Sequence, residues 1–444
     1  MTLNKYFFLI CLFALQANAQ TTLSAKDAVF KALENNYQVQ IADKQLSVAQ
    51  TNNSWGGAGA FPSVTLTVGN NNVIQDNTNN PLTFTPGIIM NQSLAPTLAV
   101  NWNIFSGFSV YISKHRLEQL EEQSANNAMA VLESTVQDVL KAYYTVQVQK
   151  EQLDLLQTIS GQSREMYTYY KLKEKYSTST SLESMQFRNQ YLTDSMNYLM
   201  QEISYDNAVR NLKLLMNDTL EVDYSLTDPL EIELGMIDRA VMHSELMEGN
   251  SNLKNQLINI QLQQTNTSLQ KSFLYPTLAV QLGTNPSWAW IQSLKDNPNS
   301  PFNSIHTNNL TYYGNLSLRY TIYDNWKNKR AVEVSKIQEE ISNLTFEESK
   351  RTLDNTLDNL IDLYEARTNM LSVSQENMEY AKKAYDLART RYELGTINSL
   401  DLATFQTNYR NAMITHYQNL FNRLDTYLEI YRMTGKIGLE YQQP

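Results

Sequence analysis

The side chains that could do chemistry are few and scattered. His115, His243, His306 and His416 show no metal-binding spacing such as H-E-x-x-H, so each reads as a surface or core residue. There is no G-x-S-x-G nucleophile elbow, no Walker loop and no G-x-G-x-x-G. Cys11 is the one cysteine and lies in an apolar N-terminal stretch. The rest of the chain therefore has no thiolate nucleophile, disulfide or Cys metal ligand. The acidic pairs Glu121-Glu122 and Glu347-Glu348 fall in long helical stretches and read as solvated faces. No catalytic constellation emerges, so an enzyme is not expected, and neither is a cofactor.

Composition narrows the class further. The chain has 444 residues, 42% of them hydrophobic, enough for a large core or two to three ordinary domains. A formal net charge of −10, with no basic run, argues against a nucleic-acid partner. Residues 1–19 read as a cleaved signal peptide. Lys5 supplies the charge, Tyr6 to Leu15 the apolar core, and Ala17-Asn18-Ala19 the A-x-A pattern before Gln20. That core is too short to span a bilayer, and no later stretch approaches 18 apolar residues. Cys11 lacks the small preceding residues of a lipid-anchored cysteine. The chain is expected to be exported, without transmembrane helices.

Short segments recur in the same order. FPSVTLTVG (61–69) and YPTLAVQLG (275–283) are 214 positions apart. TLAVNWNIFSGF (97–108) pairs with NLSLRYTIYDNW (315–326), and STSLES (179–184) with INSLDL (397–402), both at 218. NLKLLMN (211–217) matches LEIYRMTG (428–435). Four matches in one order indicate an internal duplication. It divides the chain into a first repeat (20–217), a linking segment (218–250), a second repeat (251–438) and a short tail (439–444). The first repeat reads as helix 24–59, strand 61–69, polar loop, strand 96–106, and helices 107–176 and 182–216. The second reads as helix 252–273, strand 275–283, polar loop, strand 314–324, and helices 326–392 and 398–433. Leu353, Leu357, Leu360 and Tyr364 recur at helical steps, as do Leu132, Val136, Val139, Tyr143 and Val146. No Pro or Gly lies between Phe108 and Gly161 or between Asn315 and Gly395. Helices that long suggest coiled-coil packing, and about 70 residues reach about 100 Å.

Each strand has one apolar and one hydrated face. The apolar sets are Val64, Leu66 and Val68; Leu98, Val100, Trp102 and Ile104; Leu278, Val280 and Leu282; and Leu316, Leu318, Tyr320 and Ile322. Such a sheet packs on helices in a soluble domain, or meets lipid on one side and water on the other. Three features favour lipid. Phe61, Phe105, Tyr275, Tyr312, Tyr313 and Tyr323 cluster at strand ends, as an interfacial girdle does. The strands are about nine to eleven residues long, enough for a tilted span. The intervening stretches 70–92 and 284–309 read as long polar surface loops. Four strands cannot close a barrel, and lipid satisfies no open edge. An oligomer must complete it: two copies give eight strands, three give twelve.

With these pieces the chain resembles the outer-membrane factors of the TolC type. The resemblance rests on the paired aromatic-Pro strands, WNIFSGF (102–108) and RYELGTINSLDLATF (391–405). It implies an α+β membrane protein: a long α-helical coiled-coil barrel below a 12-stranded trimeric transmembrane β-barrel, with four strands from each chain. The implied function is an outer-membrane channel-tunnel of a tripartite efflux or type I secretion system. Its implied partners are the other copies of a homotrimer, outer-membrane lipid, a periplasmic adaptor and an inner-membrane pump. Segment 218–250 would form part of an equatorial belt.

The resemblance also places a periplasmic gate at the helical tip. Tyr392, Gly395, Thr396 and Asp401 fill the family's Tyr-x-x-Gly-Thr-x-x-x-x-Asp pattern. Thr404 stands where the family has a second Asp, and Ile397 where it has an Arg. Subtracting 218 gives Glu183 and Gln186 as first-repeat equivalents of Asp401 and Thr404. A ring of Asp401, joined by Glu183, would attract cations and raise the carboxyl pKa values. Asp401 equally reads as a helix cap, and the two roles can coexist. Gly395 is expected to make a left-handed turn, with Ser177 as its non-equivalent counterpart. Tyr392, Gly395, Thr396, Tyr176 and Ser177 are the implied adaptor-facing positions. A trimeric structural or adhesive stalk without transport is the alternative.

Overall fold

The computed structural model describes residues 21–80, 82, 87–176, 178–219, 224–231, 234–293 and 304–440. The signal peptide expected over 1–19, Ser177 and residues 441–444 lie outside these. Strand β1 (Thr21–Leu23) leads into helices α1 (Ala25–Asn35) and α2 (Tyr37–Asn52), then strands β2 (Ser63–Asp76) and β3 (Ile88–Ser106). Helices α3 (Ser109–Lys175) and α4 (Ser181–Leu215), strand β4 (Tyr224–Leu226), and helices α5 (Arg239–Gly249) and α6 (Ser251–Ser272) follow. The chain ends with strands β5 (Thr277–Ser293) and β6 (Ser304–Arg319) and helices α7 (Lys327–Glu393), α8 (Ser399–Met433) and α9 (Lys436–Glu440). α3 and α7 have 67 residues each, α4 and α8 have 35, and both pairs begin 218 positions apart. The expected helix 24–59 is two helices, broken at Asn36, whose side-chain Oδ1 accepts the Gln38 N–H as α2 begins, and it stops at Asn52, with 55–59 in turns.

β2, β3, β5 and β6 form one antiparallel sheet in that order, leaving β2 and β6 as its edges. The register gathers the predicted apolar positions onto one face. Val64 lies opposite Val100, and Val100 opposite Leu282; Leu66 lies opposite Leu98. Trp102 lies opposite Val280, Val280 opposite Leu316, and Leu278 opposite Leu318. Val64, Leu66, Val68, Leu98, Trp102, Leu282, Leu316 and Leu318 are exposed, while Val100, Leu278 and Val280 are half-buried. Among the described residues no helix covers this face at those eight positions.

The sheet departs from the expected one in three ways. Most of the stretches taken as loops, 70–92 and 284–309, is strand. β2 stays paired with β3 out to Asp76 opposite Ile88, and β5 with β6 out to Gln292 opposite Ser304. Polar composition misleads here because a ladder needs only backbone groups, so it runs on wherever its partner strand does. Trp288 and Trp290, which fell in the stretch read as a loop, therefore stand on β5, opposite Leu94 and Gln92 of β3. Tyr320, expected on the lipid face, lies just past the end of β6. A bulge between Asn103 and Phe105 also places Phe105, not Ile104, opposite Leu278.

The strand-to-helix junctions are built alike. Gly107 and Phe108 have φ of 64° and 68°, and Asn325 and Trp326, 218 positions on, have 57° and 59°. Phe105 stacks edge-on against Phe108 at 5.2 Å, and Tyr323 against Trp326 at 6.3 Å. A Cβ on Gly107 would lie 2.2 Å from the Ser272 carbonyl oxygen, so only glycine fits there.

The described residues fall into two compact units, and each takes segments from both halves of the chain. One holds residues up to 44, 126–254 and from 348 onward; the other holds 45–125 and 255–347, including the four-stranded sheet. The core of the first contains Val136, Val139, Tyr143 and Val146 of α3, which the helical period singled out, with Val29, Met216 and Leu428. A second cluster joins Leu357, Ile361 and Tyr364 to Leu246 and Ile430. β1 pairs in parallel with β4. Asp228 then accepts from the Ala25 N–H (2.5 Å) and from the buried Tyr143 hydroxyl (2.8 Å), whose pKa burial pushes up to about 12.

α5 is clasped to α7 by charge. Nδ1 of His243 lies 3.2 Å from Asp354 and Nε2 lies 3.0 Å from Asp358. Arg239 donates to Asp358 (2.6 Å) and to Asp362. Carboxylates only accept, so both ring nitrogens donate only as imidazolium. Hydrogen bonding to Asp358, then to Asp354, raises the His243 pKa above its ordinary 6.5. This contribution to stability is complete below pH 6.5 and is lost as pH rises through the folded-state value. The melting temperature of the wild type minus that of His243→Gln should therefore shrink as the pH is raised; a difference that is flat or grows would contradict the clasp.

Candidate functional site

The two helical turns, between α3 and α4 and between α7 and α8, meet in one place. Each turn is closed from within. Gly395 sits at φ 73° and donates to the Tyr392 carbonyl (2.9 Å). The Thr396 N–H and hydroxyl both reach the Arg391 carbonyl at 2.9 Å, a Schellman-type closure. Thr178, 218 positions earlier, makes the same two bonds to the Lys173 carbonyl, at 3.0 and 3.1 Å. The turns are thus more alike than Gly395 and Ser177 suggested. The offset that pointed to Ser177 also pointed to Thr178.

The next helices begin from matching caps. Thr180 caps α4 and Asn398 caps α8, each accepting the N–H three residues on, from Glu183 (3.3 Å) and Asp401 (2.9 Å). The capping oxygen of α8 is therefore that of Asn398, not of Asp401. The two acidic residues then differ. Glu183 accepts from the Thr180 N–H (3.0 Å), the Ser179 hydroxyl (2.8 Å) and the Thr180 hydroxyl (3.0 Å). Those bonds, the backbone one foremost, hold its carboxyl below the usual range. Asp401 is exposed, and its carboxylate has no hydrogen-bond partner among the described residues. Thr404 is exposed one turn later, its hydroxyl bonded back to the Leu400 carbonyl (2.9 Å). Gln186 accepts from the Ser399 hydroxyl at 3.5 Å, across the two turns. Tyr176 is exposed at the end of α3.

Aromatic rings hold the turns together. The Tyr392 hydroxyl donates to that of Tyr170, and the ring of Tyr170 stacks on Phe187 at 4.3 Å. Burial, then the bond to Tyr170, raises the Tyr392 pKa. Tyr385 stacks on Tyr409 at 5.7 Å and donates to Gln162 (2.8 Å). A cavity of about 730 Å³ lies among Met166, Tyr170, Phe187, Tyr385, Tyr392 and Leu402. Deeper in, Asp194 is 1% exposed. It accepts from Ser163 and from Gln190 (2.9 Å), and its other oxygen faces the Arg410 guanidinium at 3.5 Å. This tie between α3, α4 and α8 is invisible in the sequence, where nothing marks Asp194. Among the described residues no group of three or more His, Cys, Asp or Glu could hold a metal ion.

Among the described residues the site is two closed helical turns held by aromatic rings, and the four-stranded sheet of the other unit has an exposed apolar face. The profile of the outer membrane efflux protein family matches residues 28–218 and 242–436. The chain belongs to the outer membrane efflux protein family. As such it is an outer-membrane efflux channel of a Gram-negative bacterium, reaching into the periplasm, and the TolC-type resemblance holds. A stalk without transport has no support from this family. Solved outer-membrane efflux structures share the fold at low identity. CusC has a TM-score of 0.72 at 13% identity, covering 94% of this chain and 93% of its own. The Campylobacter jejuni outer membrane channel CmeC gives 0.72 at 14%, covering 93% and 85%. The Neisseria gonorrhoeae outer membrane channel MtrE, in its open state, gives 0.69 at 15%, covering 93% and 88%. A search of curated proteins found no match.

Replacing Asp194 by Ala would leave the Arg410 guanidinium without its buried partner. By the cost of breaking a buried pair, this should destabilise the fold by about 3–5 kcal/mol. Unfolding by denaturant checks it; a midpoint unchanged from wild type would show that the tie carries no stability.

Proposed function

We propose that three copies assemble into a duct whose 12-stranded barrel crosses the outer membrane and whose helices form a tunnel through the periplasm. The observation that carries this is the sheet: a continuous exposed apolar face with two open edges. Lipid explains the face, and neighbouring copies explain the edges. The long helices give independent support. α4 exposes Leu182, Met185, Leu192, Met196, Leu199 and Ile203, and α7 exposes Met370, Val373, Tyr380 and Leu387. Both stripes recur at heptad spacing, as coiled-coil seams do. Two different seams on one chain make a head-to-tail interface that closes a ring. Helices of 67 residues reach about 100 Å, suited to a periplasmic tunnel.

In this reading the duct is passive and belongs to a tripartite efflux or type I secretion system. The repeats 20–217 and 251–438 each supply one hairpin and two long helices, and 218–250 is the equatorial segment. The tip, at Tyr392, Gly395, Thr396, Tyr176 and Ser177, meets a periplasmic adaptor coupled to an inner-membrane pump. Asp401 is the gate acid: its carboxylate is exposed, whereas that of Glu183 is spent on the α4 cap. Thr404 and Gln186 flank it as neutral positions.

Planar-bilayer conductance of the detergent-solubilised protein tests this reading. Wild type should give small, discrete, cation-blocked channels, and Asp401→Ala larger or less cation-blocked ones. Channels unaltered by the substitution would remove Asp401 from the gate, and an absence of channels from a folded oligomer would remove the duct.

A further inference from the structure

The four strands of the sheet are almost free of charge. Among their described residues the full charges are Asp76, at the hairpin end of β2, and Arg319, at the opposite end of β6. Arg319 lies opposite Thr277. It therefore shares a side with Ser317 and Asn315, not with Leu318 and Leu316, since alternate residues of a strand share a face. In a barrel whose apolar face meets lipid, this is the lumen side. The neighbouring positions on that side, Ser63, Thr65, Asn101, Thr277 and Gln281, are all uncharged.

No carboxylate among the described residues pairs with Arg319. The nearest along the chain, Asp324, is occupied with the Asn328 N–H at 2.9 Å. The side chain is exposed. The first-repeat position 218 residues earlier is Asn101, so each chain contributes one such cation. A guanidinium stays protonated at any working pH, and its planar fork suits carboxylate and phosphate groups. A fixed charge between low-dielectric walls focuses its field along the water path and concentrates ions of opposite sign.

We propose that Arg319 forms a positive ring at the helix-side mouth of the barrel, and that the duct thereby favours anionic cargo, carrying carboxylate or phosphate groups, on its way out. This rests on the trimeric-barrel reading above. It gives the duct two filters of opposite sign, since the proposed tip ring of Asp401 is acidic. The ring is a selectivity determinant; it neither closes the channel nor takes part in assembly.

The test is the reversal potential of the purified trimer in a planar bilayer under a potassium chloride gradient. Arg319→Gln should shift it toward the cation value, Arg319→Glu should shift it further, and Arg319→Lys should leave it near wild type. Arg319→Cys offers a second route, because Cys11 is the only other cysteine. A positively charged thiol reagent should restore the wild-type potential, and a negatively charged one should move it the other way. Normal conductance with one potential across all variants would overturn the proposal and leave the duct standing. An absence of channels from folded wild-type trimer would overturn the duct itself, and the ring with it.

Discussion

A strand at the edge of a sheet carries a row of N–H and C=O groups without partners, and lipid supplies none. This constraint organises everything else in the chain. β2 and β6 are edges of 14 and 16 residues, set in a sheet whose apolar face is exposed at Val64, Leu66, Leu316 and Leu318. In water such a sheet would aggregate through its edges and its face. In a bilayer the face is satisfied and the edges are not. The chain therefore cannot be a finished membrane object alone, and a ring of copies is the arrangement that leaves no edge.

The helices answer the same demand in water. A single copy leaves stripes of apolar residues at heptad spacing bare on α4 and α7, faces that need a partner to be buried. Their ends are held by local chemistry: matched threonine bonds at both turns, matched N-caps, stacked tyrosines and the Asp194–Arg410 tie. Against that symmetry the difference between Glu183 and Asp401 stands out. The same helix position holds a carboxylate committed to its own cap in one repeat and an unencumbered one in the other.

Much of this was legible in the sequence. Uninterrupted runs with Leu and Val at helical steps located the four long helices to within two residues, because helix period and Pro/Gly punctuation are local signals. The 218-residue offset anticipated the twin junctions at Gly107-Phe108 and Asn325-Trp326. The alternation of Val64, Leu66 and Val68 fixed the apolar face. What failed was strand length. NNNVIQD (70–76) has the composition of a loop, yet pairs because β3 continues beside it. What could not be read at all was long-range: Asp194 finds Arg410 across 216 positions, and Tyr170 meets Tyr392 through packing alone. Arg319 was visible as a residue, but its isolation became apparent only once the strand register put every neighbour on its face beside it.

In the proposed duct the edges β2 and β6 join between copies. With Cys11 the only cysteine, single cysteines placed along each edge strand in one chain can be oxidised in outer membranes and resolved by denaturing electrophoresis. A closed ring of three copies should give a ladder of linked monomer, dimer and trimer that stops at three, for cysteine pairs brought into register. Disulfides confined to single chains, or no linkage at any register, would mean that the sheet curls onto itself or stays open, and would contradict it.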